Sequence, residues 1–154
     1  MAPGIGHRAK SGGSMLLVEN KAIIQRMFER YNAHDLDGVA AALSADFVYH
    51  NPLLPGKLGG KEDIVQRTGQ AFSAFPDIRW TVEELIAEGD RVVARLTFGG
   101  TNTGSLMGLP PTLKKGEVTG ILIYRLAEGI IMELWEECDY LGFLQQLGLS
   151  GLPQ

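Results

Sequence analysis

A single cysteine, Cys138, stands among 154 residues, so no disulfide closes within the chain. That usage suits a reducing compartment, expected here to be the cytoplasm. Cys138 is flanked by Glu137 and Asp139, whose charges work against a thiolate and hence against a nucleophilic role. Histidine is scarce too. The three present, His7, His34 and His50, show no spacing suited to a metal ion, and none is expected. No basic run exceeds the pair Lys114–Lys115 and the net charge is −4, the wrong sign for a nucleic-acid surface. No apolar stretch approaches the roughly 20 residues of a membrane span, so no membrane partner is expected. Also missing are a phosphate-binding Gly-Lys-Ser/Thr loop and a dinucleotide fingerprint.

What is present is ordinary globular composition, 45% hydrophobic and 21% charged. Residues 1–14 are glycine-rich and read as a flexible extension, native or appended, ahead of a single domain over 15–154. From Asn20, a fair N-cap, the pattern turns helical. Ile24, Met27, Phe28 and Tyr31 share one stripe. A shorter helix carries Leu36, Val39, Ala42 and Leu43. A strand over Phe47–Asn51 stops at Pro52, and a third helix over Lys61–Phe75 aligns Ile64, Thr68, Ala71, Phe72 and Phe75.

The period then changes to two. Strands are expected at Ile78–Ala87, Arg91–Thr101, Val118–Leu126 and Ile130–Cys138, with turns at Glu88–Asp90 and Glu128–Gly129. A short helix over Tyr140–Leu147 closes the pattern. Three helices followed by a strand meander predict an α+β fold, with the helices on the concave face of a curved antiparallel sheet.

Several stretches taken together resemble a known family. They are Asn32–Gly38 (NAHDLDG), Asp46–Pro52 (DFVYHNP), Phe75–Asp77, Gly108–Thr112 and Glu133–Trp135, followed by Asp139–Gly142 and Gln145–Gly148. In this order they are similar to the SnoaL-like polyketide cyclases (ester cyclases) of the nuclear-transport-factor-2-like fold, across about Glu19–Gly148. The resemblance implies a conical α+β barrel around one apolar pocket. It also implies ring closure of aromatic polyketides by intramolecular aldol condensation, with no metal or organic cofactor. It places the key acid/base on an aspartate near the end of the last strand, which maps onto Asp139. Two positions depart from the pattern. Leu113 stands where Pro-Thr-Gly-Lys is usual, and Val118–Leu126 carries no histidine.

Strict alternation along the last strand would put Glu133, Trp135, Glu137 and Asp139 on one face, barring a bulge. A carboxylate looking into an apolar cavity has its pKa raised, which suits proton abstraction beside a carbonyl near neutrality. Asp139 also fits a plain helix N-cap. His50 is a candidate for polarising a carbonyl, and Asn51 for hydrogen-bonding an enolate; loop-shaping roles serve equally well for both. Arg95, mid-strand, calls for a partner such as Glu84 or Glu137, or for substrate. Tyr31, Trp80 and Trp135 are candidate walls of the pocket, and Leu106 and Met107 a candidate lid.

Two other functions compete with the cyclase. A non-catalytic module for a small hydrophobic or aromatic ligand needs only the cavity. A limonene-epoxide-type hydrolase needs an Asp–Arg–Asp trio, and Arg95-Leu96-Thr97 lacks one of its acids. A steroid-isomerase base before Pro52 is absent, because Asn51 occupies that place. A homodimer is expected through Ile130, Met132 and Leu134.

Overall fold

In a computed structural model the structure describes residues 8–149, with side chains from Gly12 onward. Helix α1 covers Arg8–Asn32, α2 Leu36–Ala41, α3 Lys61–Ala74 and α4 Tyr140–Gln146. Strands β1 (Leu43–His50), β2 (Leu58–Gly59), β3 (Arg79–Glu88), β4 (Arg91–Thr101), β5 (Lys115–Ala127) and β6 (Ile130–Cys138) form one sheet in the order β2-β1-β6-β5-β4-β3. The α+β class stands. The sheet is curved but unclosed, since β2 and β3 end it without meeting. Nor is it wholly antiparallel: β1 runs parallel to its neighbour β6.

Helix α1 starts earlier than its stripe suggests. It takes in residues 8–14 of the stretch read as a flexible extension, while residues 1–7 lie outside the described part. Asn20 is therefore an interior helix residue, 3% exposed, rather than a cap. Glycine lowers helix propensity by about 1 kcal/mol without forbidding the helix, and no proline interrupts Gly12–Gly13. The stripe itself faces inward, with Ile24, Met27, Phe28 and Tyr31 buried against β3 and β4.

The motif Asn32–Gly38 acts as a corner. The Asn32 side chain pairs with the backbone of Trp80, accepting from its N–H at 2.8 Å and donating to its carbonyl at 2.9 Å. Asp35 caps α2 by accepting from Gly38 N at 2.9 Å, and a Cβ at Gly38 would collide with that carboxylate. Asp77 closes the turn after α3, accepting from Thr101 N at 2.7 Å and Thr101 Oγ1 at 2.8 Å.

Two register shifts decide which side chains face in. On β3 the shift falls between Val82 and Glu84, so Glu83 and Glu84 are both exposed. On β6, Arg125 pairs with Glu133 but Leu126 with Ile131, one extra residue on the β6 side. Such a bulge flips every later side chain to the other face. Ile131, Leu134, Glu136 and Cys138 accordingly point inward, and Glu133, Trp135 and Glu137 outward. The surface expected from Ile130, Met132 and Leu134 is thereby broken: Ile130 is 40% exposed and Leu134 is 1% exposed.

Candidate active site

Between α3, the tip of the 103–114 loop and the concave sheet lies a cavity of about 850 Å³. Its apolar wall is an aromatic ladder. Phe28 leans on Tyr31, Tyr31 stacks on Trp80 at 5.1 Å, Trp80 on Phe98 at 5.7 Å, and Phe98 meets Tyr140 edge-on at 6.5 Å. Leu106, Met107 and Gly108 border the opening. Asn102, fully buried, ties both ends of their loop down: it donates to Ala74 O and Gly104 O and accepts from Thr112 N.

At the far end of the ladder stands Glu136, the one carboxylate among the described lining residues. Four donors converge on it. Oε2 accepts from the Tyr49 hydroxyl and, at 2.6 Å, from Asn51 Nδ2. Oε1 accepts from the Tyr140 hydroxyl at 2.6 Å and weakly from the Cys138 thiol at 3.8 Å. Asn51, 1% exposed, also donates to the Tyr49 oxygen at 2.6 Å, while its own carbonyl accepts from Leu53 N at 2.8 Å. A carboxylate taken out of water persists only when paired and hydrogen-bonded, and these donors supply the second condition.

Burial first, then the Glu136 charge, push the phenols of Tyr31, Tyr49 and Tyr140 and the Cys138 thiol well above their ordinary values, with Cys138 and Tyr49 adding to the effect at Tyr140 and Glu137 at Cys138. All four are protonated donors at neutral pH. Burial works against the Arg67 charge, but Tyr49, Tyr140 and Glu136 more than offset it and leave its pKa raised. Among the described lining residues Glu136 is thus the one acid and Arg67 the one guanidinium, in a mostly apolar cavity.

The residues singled out from sequence divide between inside and outside. Tyr31 and Trp80 line the cavity, and Asn51 lies behind Glu136. Asp139 does not reach it. The strand ends at Cys138, and the exposed Asp139 caps α4 by accepting from Gly142 N at 2.9 Å. A Cβ at Gly142 would strike that carboxylate, repeating the Asp35–Gly38 device.

His50 points to the outer face of the sheet. Its ring stacks on Trp135 at 5.0 Å and its Nε2 lies 2.7 Å from Glu133, which also pairs with Arg125 at 3.0 Å. Trp135 is therefore an outer residue with Arg91 over its ring, not a pocket wall. Arg95 is outer as well, bonded to Glu84 at 3.2 Å. The parity of β1 and the bulge of β6 account for His50 and Trp135; Asp139 falls outside because its strand has already ended.

Glu136, Tyr49, Tyr140 and Arg67 are the site residues that sequence reasoning missed. Three of them adjoin residues that were singled out, one position away from Trp135, His50 and Asp139. Arg67 carried a signal of its own: it sits three after Ile64 and four before Ala71, a cation on an apolar stripe. Among the described residues no group of three or more His, Cys, Asp or Glu side chains is placed to hold a metal ion, and no helix is long and apolar enough to cross a membrane.

Comparison with known proteins places this geometry. The profile of the SnoaL-like polyketide cyclases matches residues 21–147. The aklanonic acid methyl ester cyclase DauD of Streptomyces sp. strain C5 is 31% identical over 137 residues, which is 82% of this chain and 80% of the relative. The nogalonic acid methyl ester cyclase of Streptomyces nogalater is 28% identical over 123 residues, 79% of this chain and 92% of its own. Among solved structures, AclR of Streptomyces galilaeus, a candidate hydroxylase, superposes with a TM-score of 0.79 at 29% identity, covering 90% of this chain and 87% of its own. IdmH of Streptomyces antibioticus, a candidate polyketide cyclase, gives 0.75 at 29%, covering 84% and 99%. With the profile spanning nearly all the described residues, the chain belongs to the SnoaL-like polyketide cyclase family.

Proposed function

We propose that the protein is a polyketide cyclase that closes a ring by intramolecular aldol addition on an aromatic polyketide methyl ester, with Glu136 as its acid/base. The observation that carries the reading is a lone cavity carboxylate fixed by Tyr49, Asn51 and Tyr140 at the end of an aromatic wall. The ladder from Phe28 to Phe98 offers flat apolar surface to a fused-ring substrate. Oε1, holding one strong and one weak donor, is the oxygen open to a further proton.

Glu136 takes the proton from the carbon flanked by carbonyls, and the bonding pair stays on the substrate as an enolate. The enolate carbon attacks the ketone, a C–C bond forms, and the resulting alkoxide takes the proton back from Glu136. Atoms and electrons balance without a co-reactant. Positioned acid/base catalysis of this kind contributes about 10²–10⁴-fold. The epoxide-hydrolase trio has no counterpart here, because Arg95 is on the outer face and Glu136 is alone.

Incubation with an aromatic polyketide methyl ester, followed by chromatography, mass spectrometry and NMR, tests the proposal. A product of unchanged mass with one new ring, formed by wild type and not by Glu136→Gln, is the expected result. A product heavier by one water contradicts it. We place a homodimer contact on the outer face of the sheet, where Ile86 is 54% and Ile121 51% exposed. Light scattering that returns the monomer mass, 16.7 kDa, would rule that contact out.

A further inference from the structure

We propose that Arg67 is the oxyanion-binding residue of this cavity: its guanidinium takes the two oxygens of a β-dicarbonyl as that group becomes an enolate. The inference rests on the cyclase reading of the site and adds the substrate group that Arg67 recognises.

Arg67 lies on the face of α3 that lines the cavity, between Ile64 and Ala71, and is part-buried. None of the ion pairs among the described residues involves it; its one hydrogen-bonding neighbour is the neutral Tyr49 hydroxyl, with Tyr140 and Glu136 within its field. Glu136 does not depend on it, because Tyr49 and Asn51 donate to one carboxylate oxygen and Tyr140, with a weak contact from Cys138, to the other. A cation bordering a wall of Phe28, Trp80, Leu96 and Leu134 is costly to hold unless something anionic completes it.

The reaction supplies that anion. When the proton moves to Glu136, the negative charge leaves the carboxylate and appears on the substrate oxygens. The internal proton transfer leaves the cavity's net charge constant, and Arg67 is placed to favour both states. A planar guanidinium fork matches two coplanar oxygens better than a point charge does. Fixed donors aimed at developing charge are typically worth about 10²–10³-fold in turnover each.

The test uses the full chain and a probe that needs no turnover: a naphthoyl-substituted cyclic β-diketone, an enolate anion at neutral pH, followed by Trp80 and Trp135 fluorescence. A neutral naphthalene alcohol of similar size is the control. Wild type should bind the enolate. Arg67→Gln should bind it at least about tenfold more weakly, with the control unchanged. Arg67→Lys, checked by thermal melting, should fall between them, since it restores charge without the fork. Glu136→Gln should bind the enolate as well as wild type or better, having lost a like charge.

Equal binding of the enolate by wild type and either folded Arg67 variant overturns the inference, as does failure of wild type to bind it. The cyclase reading fails separately. If wild type binds the probe through Arg67 but turns over no polyketide ester, the anion site stands and the chemistry assigned to it does not.

Discussion

Replacing Asn51 by aspartate keeps the shape of the side chain and leaves it a single donor when protonated and none when ionised. In the native protein Nδ2 donates at 2.6 Å both to the Tyr49 oxygen and to Glu136 Oε2, while Oδ1 accepts from Leu53 N at 2.8 Å. Asn51→Asp retains the last bond. At pH 4 the introduced acid is largely protonated when folded and can donate to Glu136, so the loss is one neutral hydrogen bond, about 1 kcal/mol.

Above about pH 3.9 the acid ionises in the unfolded chain. In the fold it shares a buried site with Glu136, and of two such carboxyls one has its pKa strongly raised. A folded pKa above the unfolded one means a contribution present at low pH and lost as pH rises toward the folded value, at about 1.4 kcal/mol per pH unit. We therefore expect a loss of about 3–5 kcal/mol by pH 7, in line with other buried pairs left uncompensated. Urea unfolding of both proteins at pH 4, 5.5 and 7 reads it directly. A deficit that stays constant across the series, or is below about 1 kcal/mol at pH 7, would refute the placement of Asn51 against Glu136.

Two further outcomes follow from groups outside that cluster. The Thr101 backbone N–H first, and then its hydroxyl, hold the Asp77 carboxyl below its usual value. Its contribution is present above the unfolded pKa and lost as pH falls through the folded one. Asp77→Asn should therefore melt below wild type at neutral pH and converge with it below about pH 4; a gap that widens on acidification contradicts this. The Tyr124 hydroxyl is buried without a hydrogen-bond partner, and an unsatisfied donor costs about 1–3 kcal/mol. Tyr124→Phe should leave the urea midpoint unchanged or raise it, and a clear drop would show that the hydroxyl has a partner.

Periodicity carried much of the fold. Strands β4 and β6 have the bounds that alternation gives them, and the stripe from Ile24 to Tyr31 is buried as its spacing requires. One corner residue was legible by its chemistry: Asp139 fits an N-cap in sequence and caps α4 in space. The site was harder to read because facing on a strand is a matter of parity. One unannounced extra residue near Met132 turns Glu136 inward and Trp135 outward, and no composition cue marks a bulge of that kind. On β1 the same parity sends Tyr49 toward Glu136 and His50 toward Glu133. The parallel pairing of β1 with β6 joins residues more than 80 positions apart, beyond the reach of any local pattern.

The account turns on which carboxylate near the end of β6 does the chemistry. Turnover of an aromatic polyketide methyl ester by wild type, Glu136→Gln and Asp139→Asn, side by side at neutral pH, decides it. Glu136→Gln should lose about 10²–10⁴-fold in kcat while remaining folded. Asp139→Asn, which keeps a competent helix cap, should stay within about threefold of wild type. The reverse pattern, with Asp139→Asn inactive and Glu136→Gln near wild type, would contradict the central claim.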